Sequence, residues 1–300
     1  MTAARRPRRR HRDNAAGYAF LAPWLIGIFG LTLLPMAYSL YLSFTHFDLL
    51  SAPRWIGWDN YREMFTDDPR FLQSVKVTLI YVVFSVPLKL GIALAVAMGL
   101  NRGLRALGFY RAIFYLPSLL GASVAVAVMW RQIFSQDGLV NQVLRVFGIH
   151  GQDWIGTPDY ALWTLVLLSA WQFGTPMLIF LAGLKQLPRD LYEAAALDGA
   201  TRTRLFFRIT LPLLSPMVFF NVVLETINAF QTFTPAFVVS GGKGGPIDST
   251  LLYTLYLYQK GFTSLKMGYA SAMAWFLFLV IALFTALYFA SSRRWVHYTD

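Results

Sequence analysis

Residues 74–100 read SVKVTLIYVVFSVPLKLGIALAVAMGL, a run in which only Lys76 and Lys89 carry a charge. A bilayer core about 30 Å thick requires roughly 20 apolar residues at the helical rise of 1.5 Å per residue. The run is therefore long enough to cross a membrane as a single helix. It predicts an integral membrane protein rather than a soluble one.

Five further stretches, one before this run and four after it, meet the same requirement. Of the 300 residues, 56% are hydrophobic and 14% are charged, whereas a soluble globular protein carries about 25% charged residues. An all-α integral membrane domain with about six transmembrane helices is predicted over 17–291. The predicted spans are 17–44, 74–100, 112–134, 161–183, 214–239 and 267–291.

The six arginines of the tail 1–16 precede the first span, as in a signal peptide. The apolar run 18–44 is far longer than the apolar segment of a signal peptide, and no small-x-small site closes it at the right distance. We therefore expect an uncleaved first span. The alternative roles for the arginines are a patch for nucleic acid or for anionic lipid.

Lysine and arginine lie between the apolar runs rather than on one basic face, which argues against nucleic-acid binding despite a formal charge of +11. One set of segments holds sixteen of these residues and the opposite loops hold seven. The positive-inside rule therefore predicts that both termini are cytoplasmic. The positively charged segments are the tail 1–16, 101–111, the loop 185–213 and the tail 292–300.

Residue types needed for catalysis or metal binding are scarce. The chain has no cysteine, and its four histidines are scattered through tails and loops. They form no pattern typical of a metal site, and no Ser/His/Asp arrangement is evident. We expect a protein without catalytic residues, metal or cofactor of its own.

The stretch 184–217, LKQLPRDLYEAAALDGATRTRLFFRITLPLLSPM, is the longest of the predicted cytoplasmic loops. Pro188 suits the first turn of a helix, and Gly199 is a natural helix stop. Thr201 can cap a second helix, which Pro212 is expected to end before the fifth span. The stretch predicts a helical hairpin at the membrane surface.

Small residues on the first of these helices allow a partner to approach its backbone closely. Ala194, Ala195 and Ala196 are flanked by charged side chains that can fix a register, Glu193, Asp198 and Arg202. This pattern favours docking to another protein. An amphipathic helix resting on lipid headgroups accounts for the spacing equally well.

The segment EAAALDGA, from Glu193 to Ala200, followed by Ile209, Leu211 and Pro212, resembles the EAA loop of binding-protein-dependent ABC transporter permeases. The resemblance implies the type I importer arrangement, with this loop, 184–213, as a cytoplasmic coupling helix. The residues implied in coupling to the ATPase are Glu193, Ala194, Ala195, Asp198, Gly199, Ala200 and Pro212.

The resemblance also implies the partners of the chain. They are two ATPase subunits that carry ATP and Mg²⁺, a second and related permease, and an extracytoplasmic solute-binding protein, all at a bacterial inner membrane. The chain has no G-x-x-x-x-G-K-[ST] sequence for nucleotide, because Lys243 is followed by Gly244. We therefore expect ATP hydrolysis to occur only on the partner subunits.

Other segments are similar to the sugar branch of this family, the maltose and glycerol-phosphate permeases. The similarity implies a sugar or a sugar derivative as the solute, and it favours a heterodimer of two permeases. Lys243 departs from the family pattern by interrupting the glycine run. The similar segments are 57–61 (GWDNY), 229–246, Ser249, Thr250, Tyr256 and 268–272 (GYASA).

Polar residues in the fifth predicted span indicate a solute pathway, because they are costly in a membrane unless they face a cavity or a partner. Asn221, Glu225 and Asn228 are spaced by four and three, so they share one helix face. Gln231 and Thr232 are expected to continue that face, and Phe230 and Phe233 can stack on a sugar ring. The alternative is hydrogen bonding between helices, including an ion pair between Glu225 and Lys89.

Three other functions compete with the sugar permease. The first is a permease for a non-sugar solute such as an amino acid, phosphate or a metal chelate. The second is a self-sufficient secondary transporter, which often shows repeated halves that this sequence lacks. The third is a membrane-embedded enzyme, for which Glu225 alone is insufficient.

Overall fold

The computed structural model describes residues 20–103, 106–121 and 123–296. The basic tail 1–16, the beginning of the first predicted span, Arg105 and residues 297–300 lie outside this part of the chain.

Helices dominate the described residues, together with one two-stranded hairpin. Strands β1 (Thr45–His46) and β2 (Arg54–Trp55) pair in an antiparallel manner. The helices are α1 (Phe20–Ser43), α2 (Asp59–Thr66), α3 (Pro69–Leu100), α4 (Leu107–Leu120), α5 (Val124–Ile133), α6 (Leu139–Val146), α7 (Pro158–Trp171), α8 (Gly174–Gln186), α9 (Arg189–Leu197), α10 (Arg202–Leu205), α11 (Ser215–Phe230), α12 (Thr234–Val239), α13 (Tyr253–Tyr258) and α14 (Met267–Ser292).

Four helical segments within the described ranges are long and apolar enough to cross a membrane, namely α1, α3, the segment from α11 to α12, and α14. Two bent pairs, α4 with α5 and α7 with α8, pass the same test when each pair is counted as one span. The total is then six, as the sequence predicts. Each predicted span therefore corresponds to one of these helices or pairs.

The second span begins earlier than the sequence indicates, at Pro69 instead of residue 74. Asp68 caps this helix by accepting a hydrogen bond from the backbone N–H of Phe71, and Pro69 occupies a first-turn position that needs no N–H donor. The 32 residues of α3 extend about 48 Å at 1.5 Å each. Helix α3 is therefore longer than the thickness of an apolar layer of about 30 Å.

Breaks within the predicted spans are the main difference from the sequence interpretation. The fourth span bends by 42° between Trp171 and Gly174. The fifth ends its first helix at Phe230 and resumes at Thr234. Pro235 explains this break, because it has no N–H to donate to the carbonyl of Gln231 four residues earlier.

The chain divides into two compact units, of which the larger comprises Glu63–Gln259 and Phe276–Asp300. Within it, α3 is the central helix and packs against α7, α8 and α11. Small residues on α3 are fully buried there, including Ala93 and Ala97. Such residues let helix backbones approach closely, which is how helices associate where lipid removes the hydrophobic driving force.

The smaller unit comprises residues up to Arg62 together with Lys260–Trp275. The side-chain amide of Asn60, which lies in the GWDNY segment, donates to the carbonyls of Ser43 and Thr45 at 2.8 and 3.0 Å. The N–H of Gly268 donates to the carbonyl of Phe47 at 3.0 Å. A Cβ at Gly268 would lie 2.1 Å from the Thr45 carbonyl oxygen, so this close approach requires glycine.

Candidate functional site: a surface hairpin and a polar cavity

The predicted surface hairpin is present, and its first helix, α9, ends at a specific turn. Gly199 has a φ of +73°, a conformation that L side chains rarely adopt. The N–H of Gly199 donates to the carbonyl of Ala196, and the N–H of Ala200 donates to that of Ala195. This pair of bonds is a Schellman motif, which satisfies the last carbonyls of a helix.

The second half of the hairpin differs in detail from the prediction. Thr201 caps α10, as expected, by accepting from the N–H of Arg204. Pro212 does not end the helix, because a wider π-helical turn, Phe206–Thr210, precedes it and places it at the start of a new turn. Proline fits there, since its missing N–H is not needed at a first-turn position. Pro188 lies one position before α9, in an extended conformation.

The tip of the hairpin is exposed, although it carries apolar residues. Leu197 is 90% exposed, and Glu193, Ala194 and Asp198 are also exposed. Glu193 and Asp198 form no ion pair with a described residue.

Tyr192 anchors α9 to the second half of the hairpin. Its hydroxyl lies 2.9 Å from the Thr210 hydroxyl. Both residues line a cavity of about 620 Å³, together with Asn101 just after α3 and Lys185 at the end of α8. The base of the hairpin therefore shares a cavity with the ends of two membrane-spanning segments.

A second cavity, of about 300 Å³, lies in the larger unit where α3, α7 and α11 meet. Glu225 and Asn228 enter it from α11, and Gln231, Thr232 and Phe233 enter it from the break that follows. The break exposes polar backbone and side chains at membrane depth, which is tolerated where they line a cavity. We call this space the polar cavity.

An ion pair in the wall of the polar cavity joins two spans. The Nζ of Lys89 on α3 lies 2.7 Å from the Oε2 of Glu225 on α11, and their side chains are 12% and 9% exposed. Pairing is what makes two buried charges tolerable. The partnership that the sequence suggested between these residues is confirmed.

The structure separates the predicted pathway residues into two groups. Glu225, Asn228 and Gln231 line the polar cavity. Asn221 is buried and donates to the carbonyl of Met217 in its own helix, while Phe230 is buried and packs against Phe284 at 5.2 Å. The continuous helical face that the sequence predicted therefore ends at the break. Gln231 is the C-cap of the helix, and Thr232 lies outside it.

Other walls of the polar cavity were missed by the sequence interpretation. Tyr81 on α3, Ser169 on α7 and Gly121 after α4 line it. Gln172 also lines it and donates to the Gly121 carbonyl at 3.1 Å. The available signal was a single polar or small residue within each apolar run. The sequence around such a residue does not show whether it lines a cavity or packs between two helices.

A separate buried network ties the start of α3 to α13. The hydroxyl of Tyr256 donates to the Asp68 carboxylate, whose two oxygens lie 2.7 and 2.6 Å away. Burial, and then this hydrogen bond, raises the pKa of Tyr256, so the hydroxyl keeps its proton. Beside it, Arg70 donates two hydrogen bonds to Asp248 at 2.8 and 2.7 Å.

Comparison with known proteins shows where this arrangement occurs. Residues 70–297 match the family described as binding-protein-dependent transport system inner membrane component. The probable ABC transporter permease protein YesP of Bacillus subtilis (strain 168) is 54% identical over 297 residues, 99% of this chain and 96% of that protein. The sulfoquinovosyl glycerol transport system permease protein SmoG of Agrobacterium fabrum is 34% identical over 279 residues, 92% of this chain and 90% of that protein.

A solved structure shares the fold. A chain of the bacterial alginate ABC transporter, solved in complex with an alginate pentasaccharide-bound periplasmic protein, aligns with a TM-score of 0.80 at 21% identity. The alignment covers 94% of this chain and 96% of that one. The protein therefore belongs to the inner membrane components of binding-protein-dependent transport systems, and it is a permease subunit of an ABC importer.

Proposed function

We propose that this permease carries a sugar or a sugar derivative through the polar cavity. The observation that carries the proposal is the cavity itself. Three polar residues predicted from the sequence, Glu225, Asn228 and Gln231, line it together with hydrogen-bond donors and acceptors from two other helices. Ligand sites are concave, with a few placed polar groups and apolar walls that fix orientation. A sugar needs both, since its hydroxyls require partners and its ring faces are apolar.

The relatives support the same class of solute. SmoG is described as a permease protein of a sulfoquinovosyl glycerol transport system. The ring of Phe233 in the cavity wall provides an apolar surface next to Asn228 and Gln231. An aromatic face beside paired amides is a suitable surface for a sugar ring with its hydroxyls.

Asn228 gives a direct test of the pathway. Replacing it with alanine removes an amide from the cavity wall, so we expect sugar uptake to fall by about tenfold, the effect of losing one or two hydrogen bonds. Asn221→Ala is the matched control, because Asn221 lies on the same helix and, among the described residues, its side chain bonds only to Met217 in its own helix. Uptake into vesicles, normalised to the assembled complex, makes the comparison. Equal uptake by Asn228→Ala and the native protein would remove this wall from the pathway.

We further propose that separate ATPase subunits bind the surface hairpin and transmit their conformational changes to the permease through it. Its exposed tip supports this, since the described part of the chain leaves Leu197, Glu193 and Asp198 uncovered. The coupling residues are those named from the EAA resemblance: Glu193, Ala194, Ala195, Asp198, Gly199, Ala200 and Pro212. ATP and Mg²⁺ bind to those partner subunits, and this chain hydrolyses no nucleotide.

The remaining partners complete the transport cycle. A second, different permease forms the other half of the pathway, and an extracytoplasmic binding protein delivers the sugar. The hairpin and both termini lie in the cytoplasm of the bacterial cell, as the distribution of lysine and arginine supports.

Single-cysteine labelling tests this orientation, because the chain contains no cysteine. We expect Ala194→Cys, at the exposed hairpin tip and in cells that make the permease without its ATPase subunits, to react with a membrane-impermeant maleimide only after the membrane is opened. Val146→Cys is the control, since Val146 is 82% exposed at the end of α6, on the proposed opposite side. It should react in intact cells. Labelling of Ala194→Cys in intact cells would reverse the orientation and remove the hairpin from the ATPase.

A further inference from the structure

Lys89 is placed to do more than neutralise Glu225. It comes from α3, whereas the other charged residue of the polar cavity, Glu225, comes from α11. The two side chains meet at the cavity wall rather than deep within a helix contact, and both line the open space. The ion pair is therefore a surface that a solute in the cavity encounters.

The hydrogen-bonding capacity of this pair is mostly unused. A lysine ammonium has three N–H donors, and a carboxylate has two acceptor oxygens. Among the described residues, the only hydrogen bond of either side chain is the one between Lys89 Nζ and Glu225 Oε2. Two donors and one whole carboxylate oxygen thus remain for a ligand or for water.

We propose that Lys89 and Glu225 together bind two neighbouring hydroxyls of the solute, with Lys89 donating to one oxygen and Glu225 accepting from the other. Each sugar hydroxyl is both a donor and an acceptor, so a cation and an anion held side by side match two adjacent hydroxyls. Hydrogen bonds to charged groups are the stronger ones. This inference rests on the proposed sugar pathway and adds a contact from a helix outside the polar face of α11.

A purely structural ion pair is the competing explanation, and double replacement separates the two. Removing one partner leaves a buried charge alone, which strongly destabilises a protein, whereas replacing both by apolar residues of similar size is often neutral or stabilising. If the pair only holds α3 to α11, Lys89→Met with Glu225→Leu should restore both assembly and transport. If the pair binds the solute, the double replacement should restore assembly alone.

The experiment uses the whole importer, reconstituted in vesicles with its ATPases, sister permease and binding protein. A set of radiolabelled mono-, di- and trisaccharides is first offered to the native complex, and an imported saccharide becomes the probe. We expect Lys89→Met to lower the yield of assembled complex and the double replacement to recover it. Uptake by the recovered complex should stay at least about tenfold below native, the loss of one charge-assisted hydrogen bond.

A conservative double replacement, Lys89→Gln with Glu225→Gln, provides the rescue. It keeps one amide donor and one carbonyl acceptor without charge, so uptake should recover partly relative to the apolar pair. Native uptake by the apolar pair would overturn the solute contact and leave the sugar pathway standing. Failure of the native complex to import any saccharide would overturn the pathway and, with it, this inference.

Discussion

Gly199→Val is expected to reduce solute uptake by at least about tenfold while leaving the membrane-spanning segments folded. The φ of +73° at Gly199 is strained for any residue with a Cβ, by about 1–2 kcal/mol, and most of all for a β-branched one. A shift of 1.4 kcal/mol is a factor of about ten in an equilibrium. Valine therefore opens the Schellman turn and displaces the exposed tip of the hairpin.

Steric clash does not explain this effect, because no described atom beyond Gly199 and its chain neighbours lies within 4 Å of a Cβ built there. Asparagine tolerates the left-handed conformation better than other non-glycine residues, so Gly199→Asn should retain most of the uptake. The measurement is vesicle uptake together with ATP hydrolysis by the assembled complex. Native coupling in Gly199→Val would show that the turn does not position the hairpin.

Asp68→Ala is expected to give the largest loss of stability, about 2–4 kcal/mol. Losing a helix N-cap costs about 1 kcal/mol, and losing the buried hydrogen bond from the Tyr256 hydroxyl to a charged carboxylate costs about 1–3 kcal/mol more. Both effects occur at once, because Asp68 caps α3 and accepts from Tyr256. Thermal unfolding of the detergent-solubilised complex measures the change.

Asp67→Ala is the matched control for this prediction. Asp67 is the neighbouring carboxylate, but it is exposed and accepts only from the hydroxyl of Thr66 among its described hydrogen-bonding partners. Its replacement should change stability by less than about 0.5 kcal/mol, as for most surface positions. Equal losses from the two variants would show that the buried network contributes little.

The sequence predicted the membrane fold well because hydrophobic run length is a local property. The surface hairpin was predicted for a similar reason, since Gly199 and Thr201 act within one turn of the chain. The pairing of Lys89 with Glu225 was also foreseen, because two opposite charges in apolar spans have few other ways to be satisfied. Each of these features depends either on a few residues that are neighbours in the chain or on the large energetic cost of an unpaired charge in a membrane.

The breaks in the spans were harder to place, because they depend on which helices surround them. The polar face of α11 was extended through Gln231 and Thr232 by helical periodicity, but the helix ends where Pro235 removes a donor. Asn221 shares the face of Glu225 yet lies one turn, about 6 Å, further along the axis, and the cavity does not reach it. Periodicity gives the direction of a side chain, not the depth of a cavity.

Helix α3 connects three places that are otherwise far apart in the chain. Its first residues adjoin Asp68 and Tyr256, its middle carries Lys89 in the polar cavity, and its last residues line the space beneath the hairpin. Pro87, two positions before Lys89, leaves the carbonyl of Val83 without its helical donor. The helix is therefore expected to bend most easily at this missing hydrogen bond. Bending of α3 that is imposed at either end of the helix is therefore concentrated next to Lys89, which faces the polar cavity.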